Sequence, residues 1–202
     1  MHPNPAFRGA ETSRNIAFAR QRGFGTLAVN GRTGPLLSHV PFLLTGDGGT
    51  ADLHLVRSNP IARLGEVDAV IAVNGPDGYI SPDWYGIEDQ VPTWNYVAVH
   101  LRGRLIPLDP AEMREMLDRQ SEAYESGLAP KAPWTTGKMT PESLARMMRQ
   151  ILPFRLIVER IDGTWKLNQN KPDAARLAAA DRVRDGQGQD LDTLQSLMRD
   201  PE

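Results

Sequence analysis

Two tight turns within the first 56 residues constrain the fold more than any other feature of the chain. Asn30-Gly31 is a strong signal for a two-residue β-hairpin, and the run Gly46-Asp47-Gly48-Gly49 is a second turn sequence. The apolar segments that these turns join, residues 24–29, 36–45 and 51–56, have the length and composition of β-strands. Strands connected by turns this short run antiparallel, so the sequence predicts an antiparallel meander.

Further strands are predicted beyond the meander. Residues 94–108 form the longest strand candidate, with Val97, Val99 and Leu101 on one face and Gly103 at a bend of the kind that curves a barrel strand. A continuous apolar run predicts a buried strand at 69–73, and shorter strands are predicted at 79–81, 154–161 and 164–167, with turns at 75–78 and 162–163. The chain lacks the β-α-β alternation and Gly-rich phosphate loop of a doubly wound fold. We therefore expect an α+β protein that is mainly β, a small closed antiparallel barrel of about eight strands decorated by helices.

The helices are marked by their capping residues. Asp109-Pro110-Ala111-Glu112 is a capping signature for a helix that reaches residue 125, and Thr140-Pro141-Glu142 begins another. A short helix is expected at 11–22, and the chain beyond Lys171 is helical but polar. We expect a barrel domain over residues 1–170 and a C-terminal helical extension over 171–202 that is partly flexible.

Composition excludes several classes of function. A formal net charge of −2 does not favour direct binding to nucleic acid, which usually needs a basic surface. The chain has no cysteine, no signal-peptide pattern and no apolar run of about 20 residues, so we expect a soluble cytoplasmic protein without disulfides and without a membrane span. The four histidines show no metal-ligand spacing, and no triad or carboxylate pair identifies a catalytic residue.

One turn combines the features of an anion site. Leu53-His54-Leu55-Val56 ends a predicted strand, Arg57 and Ser58 follow, and Asn59-Pro60 is a good start for a helix. A helix N-terminus with an arginine and a hydroxyl beside it suits a phosphate group. The same residues are also compatible with an ordinary capped helix next to a solvated arginine.

Three other polar groups are candidates for ligand contact. Ser38-His39 interrupts an apolar strand, and Trp94 and Asn95 open the longest strand within an aromatic and amide cluster. The segment from Lys166 to Lys171 ends the last strand with three successive amides. Each group also has an ordinary structural explanation: a histidine at a barrel rim, a tryptophan in the core, or a solvated strand end.

Five segments, taken in order, resemble the PaiB-like FMN-binding family, which is often labelled as negative transcriptional regulators. The matching segments are Pro35-Leu36-Leu37-Ser38-His39-Val40-Pro41-Phe42, His54-Leu55-Val56-Arg57-Ser58-Asn59-Pro60, Tyr79-Ile80-Ser81-Pro82-Asp83-Trp84-Tyr85, Val91-Pro92-Thr93-Trp94-Asn95-Tyr96-Val97-Ala98-Val99-His100 and Lys166-Leu167-Asn168-Gln169-Asn170. The opening residues 1–7 also resemble the family, and the likeness extends to about residue 175. His2 and Asn168 depart from the residues expected there, an aromatic residue and a serine.

The resemblance implies a split β-barrel of the flavin-binding type and a homodimer with FMN at its interface. It implies that Arg57, Ser58 and Asn59 hold the FMN phosphate, and that Ser38 and His39 line the flavin ring or the ribityl chain. It also implies that Trp94 and Asn95 wall the site and that Lys166 and Gln169 close it. We also expect His54, which opens the second matching segment, to be one of the FMN-binding residues.

Three functions follow as hypotheses. The first is an FMN-dependent oxidoreductase that acts on an unknown small molecule. The second is a transcriptional regulator that acts indirectly or with a partner. The third is a heme-binding or small-molecule-binding module that has lost flavin, in which His39, His54 or His100 is the axial ligand.

Overall fold

The predicted meander forms the first part of a seven-stranded sheet. A computed structural model describes residues 2–201, and in it β1 (Phe24–Gly31), β2 (Gly34–Leu44) and β3 (Thr50–Val56) pair in sequence as antiparallel neighbours. The hairpin register places Leu27 opposite Ser38, and Phe42 opposite Leu53 in the next pair. The meander is confirmed, but its first turn is Arg32-Thr33: Asn30 and Gly31 end β1 and pair with Pro35 and Gly34.

Four more strands complete the sheet: β4 (Val67–Ile80), β5 (Thr93–Pro107), β6 (Ile151–Lys166) and β7 (Gly188–Gln189). The strand order is β1-β2-β3-β6-β5-β4-β7, and β1 also pairs with β4. This extra pairing closes six strands into a ring, which removes the exposed edges that an open sheet would carry. The antiparallel barrel expected from the sequence is confirmed.

Two predicted turns lie inside continuous strands. β4 runs through residues 75–78, where a Cβ on Gly78 would lie 2.7 Å from a methyl carbon of Leu194. β6 runs through residues 162–163, where a Cβ on Gly163 would lie 2.1 Å from the Asn15 side-chain oxygen. Both glycines therefore allow close packing and do not reverse the chain. The expectation of eight strands is wrong for this reason.

Residues 2–201 contain five α-helices in addition to the strands. Their bounds are α1 (Thr12–Arg22), α2 (Met113–Ser126), α3 (Pro141–Met148), α4 (Asp173–Arg182) and α5 (Leu191–Arg199). The capping signature before α2 forms as predicted: the Asp109 carboxylate accepts from the Ala111 N–H at 2.8 Å, and the Glu112 carboxylate accepts from the Asp109 N–H at 3.3 Å. The helix expected after Asn59 is only a short 3₁₀ turn, Pro60–Arg63.

The chain divides into two compact units. Unit 1 contains Met1–Phe18, Val73–His100 and Ile161–Glu202, and unit 2 contains Ala19–Ala72 and Leu101–Arg160. Because β4, β5 and β6 each contribute to both units, neither unit is one continuous stretch of chain. The division at residue 170 that the sequence predicts stays a prediction.

The two helices of the C-terminal extension, α4 and α5, pack within unit 1. Leu194 and Met198 of α5 are fully buried and share a core cluster with Ala179 and Val183. The Arg176 guanidinium, itself buried, donates to the carbonyl oxygens of Met198 at 2.5 Å and Arg199 at 2.8 Å. The polar composition concealed a narrow apolar stripe on α5, and burial of this stripe orders the segment.

Candidate functional site

Arg57 is held at the end of β3 by two contacts with the segment that follows α3. Its backbone N–H donates to the Gln150 carbonyl at 2.9 Å, and its Nε donates to the Arg149 carbonyl at 2.5 Å. Its two terminal guanidinium nitrogens have no partner among residues 2–201, and the side chain is exposed. The side chain is therefore oriented by the protein while its strongest donors stay available for an anion.

Asn59 and Ser38 are joined to each other. The Asn59 side-chain oxygen caps the 3₁₀ turn by accepting from the Ile61 N–H at 2.9 Å, and its amide donates to the Ser38 hydroxyl at 3.0 Å. A single 3₁₀ turn has a much smaller dipole than a helix of several turns. An anion bound here would therefore depend on Arg57 and the exposed Ser58 more than on a helix dipole.

Ser38 and His39 point to opposite faces of β2 because side chains alternate along a strand. The exposed His39 ring lies 3.1 Å through Nδ1 from the Thr26 hydroxyl and stacks on Phe24 with a centroid distance of 6.5 Å. The structure therefore brings Ser38 to Asn59 but separates His39 from both. One edge of the His39 ring is exposed at the surface of unit 2.

His54 lies on β3 and is half-buried. Burial lowers its pKa below the usual 6.5, and a hydrogen bond with Gln120 of α2 opposes the change. Its Nδ1 is buried without a hydrogen-bond partner in the described part of the chain. The ring is therefore neutral at pH 7 and has a polar atom that the surrounding protein does not satisfy.

A second group of predicted residues gathers in unit 1 around Lys166. The Lys166 ammonium donates to the Thr93 hydroxyl and, at 2.5 Å, to the Trp94 carbonyl, and it lies 5.9 Å from the centre of the Phe7 ring. Burial, followed by the charge of Lys171, lowers the pKa of Lys166. This lysine is thus fixed at the start of β5, where the sequence places the aromatic and amide cluster.

Gln169 follows β6 and folds back on its own turn. Its side-chain oxygen accepts from the Leu167 N–H at 2.8 Å, and its amide donates to the Trp165 carbonyl at 2.5 Å. It also lines a cavity of about 810 Å³ in unit 1, together with Phe7, Arg14 and Trp165. Gln169 therefore shapes the cavity wall through a self-contained turn.

Trp94 and Asn95 lie on opposite faces of β5. Trp94 is 43% exposed and meets the Tyr79 ring edge-on, with a centroid distance of 6.2 Å. Asn95 is fully buried on the face that also carries Val97, and neither its amide nitrogen nor its oxygen has a partner within residues 2–201. Only Trp94 of this pair can touch a ligand on the surface of unit 1.

One residue near the candidates, Arg149, escaped the sequence analysis, and Asn168 was named there only as a departure from the family. Arg149 was missed because it reaches Arg57 only through tertiary contact, across 92 positions of the chain. Asn168 adopts the left-handed conformation at φ 65° and accepts from the Tyr85 hydroxyl at 3.3 Å. The signal for Asn168 was present, because asparagine tolerates this conformation better than serine does.

Between residues 2 and 201, no group of three or more His, Cys, Asp or Glu side chains is arranged to hold a metal ion. No helix in the same range is long and apolar enough to cross a membrane. The group around Arg57 in unit 2 and the group around Lys166 in unit 1 are therefore two candidate sites, each described within its own unit.

Structural comparison identifies flavoproteins with the same fold. The FAD and heme binding protein from Mycobacterium smegmatis aligns with a TM-score of 0.57 at 15% identity, covering 79% of this chain and 73% of that one. The flavocytochrome Anf3 from Azotobacter vinelandii aligns with a TM-score of 0.56 at 12% identity, covering 82% and 72%. At these identities the likeness concerns the fold, which is the flavin-binding split barrel.

Sequence comparison identifies the family. The family model described as "Putative FMN-binding domain" matches residues 1–160. The protein "Protease synthase and sporulation protein PAI 2" of Bacillus subtilis is 30% identical over 187 residues, which cover 91% of this chain and 89% of that protein. With most of its length matched in both comparisons, the chain belongs to this FMN-binding domain family, and its cofactor is FMN.

Proposed function

We propose that this protein is a homodimeric flavoprotein that holds FMN between its two copies and transfers electrons to or from a small molecule. The observation that carries the proposal is the Arg57 guanidinium, which the hydrogen bond from Nε to the Arg149 carbonyl orients and whose terminal nitrogens stay free within residues 2–201. A planar guanidinium binds a phosphate through two parallel hydrogen bonds, and the Ser58 hydroxyl can add a third. The donor set therefore fits the phosphate end of FMN.

The residues around Lys166 in unit 1 offer groups of the kind that suit a flavin ring. Trp94 offers an exposed aromatic face on which a planar ring can stack, and Lys166 offers an ammonium group beside it. Gln169 adds a polar wall close to Lys166 in sequence and in unit 1. Ser38, which bonds to Asn59, supplies a polar group in unit 2 beside the proposed phosphate site, whereas His39 lies on the opposite face of β2.

Exposed apolar side chains support the homodimer. Leu37 is 64% exposed and Val56 is 51% exposed in unit 2, and Val91 is 72% exposed in unit 1. A second copy of the chain that covers these side chains would remove their apolar surface from water. A second copy covering these surfaces would let residues of both copies reach one FMN.

Bound FMN would supply the capacity to accept and release one or two electrons, which none of the amino-acid side chains here provides. The protein would contribute the environment. Burial and then the charge of Lys171 lower the pKa of Lys166, and its protonated ammonium would favour negative charge on a neighbouring group. Arg57 and Ser58 would fix one end of the cofactor and so orient the other.

The first experiment compares FMN with riboflavin, which lacks the phosphate. Purified protein is titrated with each flavin, and binding is followed by the absorbance at about 450 nm. The mixture is then passed through a size-exclusion column to determine whether the flavin elutes with a dimer. Arg57→Ala should weaken FMN binding by about 2 kcal/mol, or roughly thirtyfold, and riboflavin binding far less. Arg63→Ala, an exposed arginine in the adjacent 3₁₀ turn, is the matched control. Equal losses for both flavins would contradict the role of Arg57.

Heme is the alternative ligand that a specific observation favours. His39 is exposed, and its Nδ1 is engaged with Thr26, which leaves Nε2 free to bind iron among the described residues. The Mycobacterium smegmatis protein with the same fold is described as binding both FAD and heme. A Soret band on heme addition that His39→Ala abolishes would support this alternative, and its absence would leave FMN alone.

A further inference from the structure

A cleft in unit 2 lies beside Arg57 and is separate from the residues assigned to the flavin ring. Its volume is about 410 Å³, within the range of about 300–1,000 Å³ typical of small-molecule sites. Its apolar lining includes Met113 of α2, Leu144 and Met148 of α3, and Ile151 of β6. The cleft is thus bounded by two helices and a strand of the same unit.

The charged groups that line this cleft are all arginines. Arg57, Arg114 and Arg149 contribute to the lining, and no Asp or Glu does so within the described chain. Arg114 is neutralised by Asp118, whose carboxylate accepts from its Nε at 2.7 Å, and it also donates to the Thr136 hydroxyl at 2.6 Å. The Arg149 guanidinium has no partner within residues 2–201, so the cleft carries a net positive charge.

The apolar side of the cleft comes largely from α3, a helix that the rest of unit 2 covers incompletely. None of its residues is fully buried, although Leu144, Met147 and Met148 form an apolar stripe along it. Leu144 and Met148 line the cleft, whereas Met147 does not and is 53% exposed. Methionine side chains are flexible and adapt to apolar ligands of varied shape.

We propose that this cleft binds a small amphipathic carboxylate, a molecule with one carboxylate and a short apolar body. The carboxylate would pair with Arg149 at the rim, and the apolar body would cover Leu144 and Met148. An uncharged apolar ligand would leave the arginines unused, and a highly polar anion such as inorganic phosphate would leave the apolar floor exposed. The inference goes beyond the proposed function and shares only Arg57 with it.

The experiment is calorimetric titration of the full-length protein with octanoate, below its micelle concentration, with octanamide as the uncharged analogue. Saturable binding is expected, with octanamide binding at least about tenfold more weakly. Arg149→Ala should weaken octanoate binding by about tenfold, whereas Arg146→Ala should not, because Arg146 lies on α3 outside the cleft and contacts Ser143. Absence of saturable binding, equal affinity for octanamide, or equal effects of the two substitutions would overturn the proposal.

A second measurement separates this site from the flavin site. FMN affinity is determined for the same variants, and octanoate binding is repeated without flavin. Octanoate binding without any FMN binding would refute the proposed function but support the carboxylate site, and FMN binding without octanoate binding would do the reverse. If Arg149→Ala weakens FMN and octanoate equally, the two ligands share one anion site and the carboxylate proposal fails.

Discussion

Asn95 offers a test of whether a buried polar group limits the stability of this protein. Its side chain has no exposed surface, and both of its amide atoms lack hydrogen-bond partners in the described structure. Burying an amide without partners costs about 1–3 kcal/mol in proteins. Asn95→Val removes both polar atoms and keeps a side chain of similar size, and valine favours a strand. The free energy of unfolding should therefore rise by about 1–3 kcal/mol.

The measurement is urea denaturation at a fixed protein concentration, with a thermal melt alongside it. For a chain of this size, each kcal/mol shifts the melting temperature by about 2–4 °C. The matched control is Asn15→Ala, because Asn15 is also buried but its oxygen accepts from the Trp165 indole N–H at 2.8 Å. That substitution leaves the indole unpaired and should lower the unfolding free energy by about 1–3 kcal/mol.

The two substitutions should thus have opposite signs. If Asn95→Val destabilises the protein as much as Asn15→Ala does, the Asn95 amide has a partner in solution and the reasoning from its burial is wrong. If Asn95→Val stabilises the fold but weakens FMN binding, the polar core contributes to function at the expense of stability.

Three further predictions concern stability. Gly103→Ala should lower the free energy of unfolding by about 3 kcal/mol or more, because a Cβ there would lie 1.8 Å from the Ile157 carbonyl oxygen. Gly9→Ala is the control, because a Cβ on Gly9 would have nothing within 4 Å. Equal melting temperatures for the two variants would contradict the close approach at Gly103. Tyr124→Phe should lower the unfolding free energy by about 1 kcal/mol, since the hydroxyl lies 2.6 Å from the Gly23 carbonyl oxygen and 2.9 Å from that of Phe42. An unchanged urea midpoint would show that these two hydroxyl contacts contribute nothing to stability. His54 has a pKa below 6.5 in the folded state, so the unfolded chain binds its proton more readily and stability should fall as the pH drops below 6.5. Urea midpoints at pH 7.5 and 5.5 should therefore differ more for the natural protein than for His54→Gln, and identical differences would exclude His54 as the source.

Local sequence determined which segments are strands, turns and caps. Gly46-Asp47-Gly48-Gly49 forms the turn between β2 and β3, and Asp109 and Glu112 form the reciprocal cap, because each of these structures needs only residues close together in the chain. The alternation of Val97, Val99 and Leu101 likewise sets the buried face of β5 without information from elsewhere. The family resemblance likewise rested on short segments, each of which could be recognised from its own residues.

Tertiary structure decided the structural role of residues for which the neighbouring sequence allowed more than one role. Gly78 and Gly163 look like turn residues in isolation, and only the side chains packed against them show that they lie within strands. Asn95 looked like a surface ligand contact until the pairing of β5 placed it in the interior. Arg57 and Arg149 became neighbours only because β3 pairs with β6. Such contacts join distant parts of the chain, so they depend on the free energy of the whole fold and not on the local preferences of any one segment.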